Sequence, residues 1–239
     1  KNSYYLVFAG ANERHDWDYL TKLAPKDGSV QLQKITTQMG VLVLAGPKSR
    51  EVLQKLTDTD LSNDKFKWLT GKPINVGYAQ AEALRVNFVG ELGWELHHPI
   101  EMQNYIFDEL MKAGAEFDIK PFGIRAMDSM RLEKSYRLIP REMSIEYAAL
   151  ESGLDRFVKL DKACDFVGKT ALLDWQKRGF VNSFVTLEVH DVEDADARGS
   201  EGLYKDGELV GRATSGGFGF RVNKSLALGL VQVAYGVEG

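Results

Sequence analysis

Arg85-Val86-Asn87-Phe88-Val89-Gly90-Glu91-Leu92-Gly93-Trp94-Glu95-Leu96-His97 sets apolar residues in alternation on both sides of a Gly90-Glu91-Leu92-Gly93 break. A period of two is the strand signature, and two glycines supply the backbone freedom a reversal needs, so the stretch predicts two strands folded back on each other. In the second strand Trp94 and Leu96 point to one side while Glu95 and His97 point to the other. The Glu95 carboxylate is thereby set on rigid backbone. A strand glutamate commonly faces water, and a Gly-x-x-Gly turn commonly does no chemistry. The sharper reading is recognition of a flat, nitrogen-rich ligand. A carboxylate accepts two parallel hydrogen bonds from an amino-pyrimidine or guanidine edge, and an aromatic such as Phe88 covers a ring face.

The rest of the 239 residues bounds that reading. The length predicts one large domain with a smaller appendage. With 44% hydrophobic and 27% charged residues, the composition is that of an ordinary globular protein, and no apolar run is long enough to span a bilayer. A net charge of -4 without a dense Lys/Arg block argues against a nucleic-acid partner, as the hydropathy argues against a membrane. The single cysteine, Cys164, cannot form an internal disulfide and reads as a small semi-buried side chain. The expected location is the cytoplasm or another reducing compartment such as the mitochondrial matrix. No Cys/His pair has zinc-ligand spacing, and His15, between charged neighbours, reads as solvated; no metal site is predicted.

Along the chain, Lys1 to Ala9 reads as a strand already under way, most clearly over Tyr4 to Ala9, with no initiator Met or signal-peptide pattern. A helix through Trp17, Leu20 and Leu23 ends near Pro25. Strands are predicted over Val30 to Thr36, Val41 to Leu44, Pro73 to Ala79 and Ala83 to Val89. A helix carrying Val52, Leu53 and Leu56 follows Gly46-Pro47, and an amphipathic helix runs from Ile100 to Ala113. Phe122 to Tyr136 predicts another helix, with an Asp128–Arg131 pair at helical spacing and Arg131 with Glu133 read as solvated. Arg141 to Lys162 is mixed, with a short helix and a strand around Phe157 to Leu160. A helix through Leu172, Leu173 and Trp175 stops at Gly179. The texture then changes to short strands at Phe184 to Val189, Leu203 to Lys205, Glu208 to Ala213 and Leu226 to Val233, with an Asp206-Gly207 turn. Ser215-Gly216-Gly217-Phe218-Gly219 lacks the Gly-Lys-Ser/Thr end of a phosphate loop and reads as a structural loop, and Asp191 to Ser200 as an exposed one. The expected fold is α+β: antiparallel sheets with helices over residues 1–180, then a small all-β region over 181–239.

The order of these features resembles the folate-binding aminomethyltransferase family: the glycine-cleavage T-protein and the C-terminal half of dimethylglycine and sarcosine dehydrogenases. The residues that carry the likeness are Gly46-Pro47-Lys48-Ser49-Arg50, Phe88 to Glu95, Asp128-Ser129-Met130-Arg131-Leu132-Glu133, Phe166-Val167-Gly168-Lys169 and Lys224 to Gly229. Tyr4-Tyr5-Leu6-Val7 followed by His15-Asp16 looks nearer the dehydrogenase branch. The resemblance implies an α+β folate-binding region followed by a small, incomplete β-barrel, tetrahydrofolate as cofactor, and one-carbon transfer from a methylated amine or aminomethyl donor. It implies that Glu95 holds the pterin edge, that Phe88 packs on a ring where many members have tyrosine, and that Tyr136 is a ligand-side wall. Glu151 and Arg131 match characteristic positions and are read as structural. Met127 stands where T-proteins place an arginine beside the folate. The family's catalytic aspartate precedes the strand at which this sequence begins, and its barrel continues past the equivalent of Gly239. The chain therefore reads as a fragment or shortened member, with catalytic residues unassigned. A flavin dehydrogenase domain, or self-association, is the implied partner. A non-catalytic folate-binding or regulatory module, and methyl transfer or demethylation onto folate, stay open as alternatives.

Overall fold

Alternating apolar residues come to rest in two four-stranded antiparallel sheets in a computed structural model that describes residues 3–237. The first sheet contains β1 (Met39–Ala45), β2 (Gly71–Val76), β3 (Ala79–Leu84) and β4 (Gly93–Pro99) in the order β1-β4-β3-β2. β4 is central, pairing with β1 from Met39 opposite Pro99 to Ala45 opposite Gly93, and with β3 through Glu82 to Leu84. One face is apolar: Leu44, Ile74, Val76, Ala81, Ala83, Trp94 and Leu96 are buried there. Val52 and Leu53 of helix α2 (Ser49–Gln54) and Ile106 and Leu110 of α3 (Gln103–Gly114) cover it. The first helix, α1 (Glu13–Leu23), stops before Pro25 as predicted, and Asp16 pairs with exposed His15.

Gly93 is required where β4 meets β1. A Cβ there would stand 2.5 Å from the Leu44 carbonyl oxygen and 3.0 Å from the Ala45 Cα, both backbone atoms that cannot swing aside. Gly93→Ala is expected to part the two strands and cost about 1–3 kcal/mol, as overpacking does. Urea denaturation checks this; an unshifted midpoint would contradict the packing.

The second sheet contains β5 (Asn182–Val189), β6 (Gly202–Lys205), β7 (Glu208–Gly219) and β8 (Lys224–Gln232), in the order β5-β8-β7-β6. Asp206 and Gly207 both have positive φ, 51° and 84°, the geometry a two-residue hairpin turn demands, so this turn is as predicted. Ser215 to Gly219 is not a loop; it continues β7 opposite Leu228 to Lys224 after a register break beyond Ala213. Its glycines serve close packing instead. A Cβ on Gly216 would overlap the Ala197 carbonyl oxygen of the neighbouring exposed loop.

Three predicted strands are absent among the described residues. Tyr4 to Ala9 joins no ladder; Lys1 and Asn2 lie outside the described residues. Val30 to Thr36 ends in a 3-10 turn over Thr36–Gln38, and the predicted strand at Phe157 to Leu160 is preceded by another over Asp155–Phe157. β propensity alone does not hold a strand without a partner for its backbone. The first arm of the expected hairpin is also corrected: 85–92 is an irregular connection between β3 and β4. Its local polar groups are committed elsewhere. The Asn87 side chain donates to the Glu91 carbonyl and accepts from the Val89 N–H at 2.9 Å, the Arg85 guanidinium donates to the Phe66 carbonyl and to Asn63, and Gly90 takes φ 73°. Cys164 is exposed rather than semi-buried.

Helix α4 (Ile124–Leu132) packs on the second sheet, and the last helix, α5 (Lys169–Arg178), stops at Gly179 in a positive-φ conformation. Ser129 donates to the Phe218 carbonyl at 2.6 Å. Arg131 is not solvated; it is fully buried and donates to Asp128 at 2.6 Å, to the Tyr136 carbonyl at 3.0 Å and to Ser215 on β7 at 2.8 Å. The equally buried Glu142 faces it at 3.4 Å and accepts from the Leu138 N–H and from the hydroxyls of Thr214 and Ser215. Glu151 makes a second joint, accepting from the N–H groups of Ala148, Val181 and Asn182. A buried carboxylate with every lone pair engaged holds its partners in one arrangement.

Candidate functional site

The polar face of β4 carries a short hydrogen-bonded relay. Glu95 stands between Val43 of β1 and Leu84 of β3, its side chain 25% exposed. The His97 Nε2 lies 3.1 Å from Glu95 Oε2, and the Tyr5 hydroxyl lies 3.1 Å from His97 Nδ1. With Nε2 protonated, His97 donates to Glu95 and accepts from Tyr5. Partial burial first, and the Glu95 charge second, raise the Tyr5 phenol above its ordinary range, which keeps it a hydroxyl donor. One carboxylate oxygen of Glu95 is thus held, while Oε1 makes no hydrogen bond among the described residues. An acceptor fixed at one end and open at the other suits a ligand that presents N–H groups.

Phe88 and Tyr136 meet across 48 residues of sequence, their rings stacked with centroids 6.0 Å apart and planes 30° apart. Tyr136 is held by its backbone: its N–H donates to the Arg131 carbonyl at 3.0 Å and its own carbonyl accepts from the Arg131 guanidinium. Ser135, with φ 54°, turns the chain out of α4 to place it. The pair lines a cleft of about 500 Å³, a size suited to a small organic ligand. Trp68, Lys134, Arg137 and Arg156 share its walls. Glu95 is not among the cleft-lining residues; its neighbour across the ladder, Leu84, lies two positions before Val86, which is. The three predicted site residues therefore form a stacked pair and a separate carboxylate relay. The relay's Tyr5 was not foreseeable, since it reaches His97 from 92 positions away; His97 shared the predicted face of Glu95, but its contact needed the structure.

A second cavity, of about 510 Å³, runs along β1 between Leu42, Pro47, Phe107, Phe117 and Phe122 and contains none of the predicted site residues. Among the described residues no group of three or more His, Cys, Asp or Glu could hold a metal ion, and no helix is long and apolar enough to cross a membrane.

These features define a mixed α/β protein with one antiparallel sheet that presents a carboxylate and a second, barrel-type sheet to which α4 is anchored through the buried Arg131–Glu142 pair. The chain belongs to the glycine cleavage T-protein family: residues 1–162 match the GCVT N-terminal domain and 182–239 the glycine cleavage T-protein C-terminal barrel domain. It is 41% identical to dimethylglycine dehydrogenase, mitochondrial, of Homo sapiens over 96% of this chain and 27% of that protein. Identity is 34% with mouse sarcosine dehydrogenase, over 96% of this chain and 25% of that protein. It is 31% with an aminomethyltransferase of Caldanaerobacter subterraneus, over 98% of this chain and 61% of that protein. The crystal structure of aminomethyltransferase T from Bartonella henselae superposes with a TM-score of 0.79 at 26% identity, covering 95% of this chain and 60% of that one. The chain thus spans about a quarter of the length of the dehydrogenases and about three fifths of the aminomethyltransferases. The higher identity to the dehydrogenases agrees with the branch its opening residues suggested.

Proposed function

We propose that this chain binds tetrahydrofolate and takes part in one-carbon transfer from a methylated amine or aminomethyl donor, with residues 1–180 forming the folate-binding region and 181–239 a barrel-type appendage. The observation that carries the reading is Glu95, whose Oε2 is fixed by His97 while Oε1 stays open on rigid strand backbone. The stacked Phe88–Tyr136 pair supplies the aromatic surface a flat heterocycle requires, and the cleft has the volume for one, so the residues present fit the group. Tetrahydrofolate, when bound, supplies the N5 and N10 nitrogens that accept the carbon.

In this reading Glu95 accepts from the amino-pyrimidine edge and sets the ligand's orientation. His97 and Tyr5 hold the carboxylate in place. Phe88 and Tyr136 cover a ring and exclude water from one side of it. The catalytic carboxylate is not assigned to a residue of this chain. A flavin dehydrogenase domain is the partner the dehydrogenase relatives suggest, with self-association as the other possibility, and the mitochondrial matrix or cytoplasm is the proposed location.

Isothermal titration with tetrahydrofolate tests the reading. Glu95→Gln is expected to weaken binding by about 1–3 kcal/mol, because a charge-assisted acceptor becomes a neutral amide with a donor facing donors. Equal affinities in the two proteins would remove Glu95 from the site.

A further inference from the structure

The walls of the Phe88–Tyr136 cleft include three cationic side chains, Lys134, Arg137 and Arg156, and no carboxylate. Arg137 is committed to the fold: it donates to the carbonyls of Ser152 and Ser135 and lies 3.9 Å over the Phe184 ring. The other two are not. Among the described residues neither Lys134 nor Arg156 has a salt-bridge or side-chain hydrogen-bond partner. Both are nevertheless held. The aliphatic stem of Lys134 packs so closely on Gly90 that a Cβ there would overlap it, and the Arg156 guanidinium sits 5.2 Å from the Trp68 ring centroid and 4.6 Å from that of Phe157. Trp68 and Phe157 are themselves 56% and 60% exposed, so the cleft ends at an open rim of aromatics and unpaired positive charge.

Lys134 and Arg156 line a cleft that has no carboxylate in its walls, and the repulsion among the cations there is relieved when an anion arrives between them. Desolvation pulls the Arg137 guanidinium below its usual pKa and the Arg156 charge adds to it, while the Glu142 and Asp155 carboxylates work in the opposite direction. The occupant that suits an aromatic wall followed by a cationic rim has a flat ring body and a carboxylate-bearing tail.

We infer that Lys134 and Arg156 hold the glutamyl carboxylates of the folate whose ring lies against Phe88 and Tyr136. This rests on the folate reading above and assigns the end of the ligand that Glu95 does not touch.

The test compares tetrahydrofolate with its α,γ-dimethyl ester, which keeps the rings and removes both tail charges, by titration of the chain and of the Lys134→Gln/Arg156→Gln variant. The unaltered chain is expected to bind the acid about tenfold more tightly than the ester, the size of one charge-assisted contact. The variant is expected to bind both alike, at the ester's affinity, and to lose the salt sensitivity of acid binding. Circular dichroism verifies that the variant is folded, which the exposure of both residues favours. Equal binding of acid and ester by the unaltered chain would overturn the tail assignment while leaving the ring site standing. A preference for the acid that survives in the variant would overturn it also. Binding of neither ligand to the unaltered chain would overturn the folate reading and this inference together.

Discussion

Arg131→Met is expected to destabilise the chain by about 3–5 kcal/mol, the cost of breaking a buried ion pair from one side. Arg131 is fully buried, so its loss leaves the buried Glu142 without its cation and the Tyr136 carbonyl without a donor, and leaves the Ser215 hydroxyl only the longer bond from Arg141. Urea unfolding measures the loss. Because the Arg131 guanidinium holds the Tyr136 carbonyl, the Phe88–Tyr136 stack should loosen as well, and whatever the cleft binds should bind less tightly at temperatures where the variant is still folded. A companion variant separates two accounts of the pair. Arg131→Met combined with Glu142→Leu removes both charges, which in a simple buried pair can restore stability. Here Glu142 also accepts from the Leu138 N–H and the Ser215 hydroxyl, so the double change strands two donors, Thr214 keeping the Leu228 carbonyl, and is expected to remain below the starting stability. Full recovery would mean that only the charge pair counts.

Trp94→Ala is expected to cost a similar amount, about 3–5 kcal/mol, by opening a cavity at the centre of the first sheet. The Trp94 side chain is fully buried on β4 and meets Phe66 edge-on, with ring centroids 6.1 Å apart. Its indole N–H, however, is buried without a hydrogen-bond partner. Trp94→Phe gives up volume but also removes that unpaired donor, so it should cost less than half of the alanine loss. Urea midpoints of the two variants decide this. Equal costs would show that the indole ring contributes more than its volume. The Arg50 and Arg85 guanidiniums, each 5.9 Å from the Trp94 ring centroid, are the groups that would supply that favourable term.

The second arm of the opening hairpin was legible because alternation is local: Trp94 and Leu96 are buried on one face, and Glu95 and His97 share the other. The first arm was misread for an equally local reason that pattern counting does not weigh. Asn87 and Arg85 bond the backbone around them and to the loop at Asn63 and Phe66, and that competes with a ladder. On pattern alone Arg131 reads as solvated, and only the resemblance gives it a structural role, because at helical spacing a buried arginine and an exposed one look alike. What buries it is Ser215, 84 positions later, and the separation along the chain carries no trace of that contact.

The sequence by itself determined the α+β character, the antiparallel strands of both sheets, five helices and, by resemblance, the family. Periodicity, caps and turn glycines act over a few residues, and the family's motifs are read in order along the chain. Only the tertiary structure decided that Tyr5 and His97 brace Glu95, that Phe88 stacks on Tyr136, that Lys134 and Arg156 stand at the same cleft without partners among the described residues, and that Arg131, Glu142 and Glu151 anchor α4 and the segment after it to the second sheet. Each of these depends on groups far apart in sequence meeting at hydrogen-bond or ring-contact distance. Burial and pairing at such distances are properties of the packed chain, which no local pattern encodes.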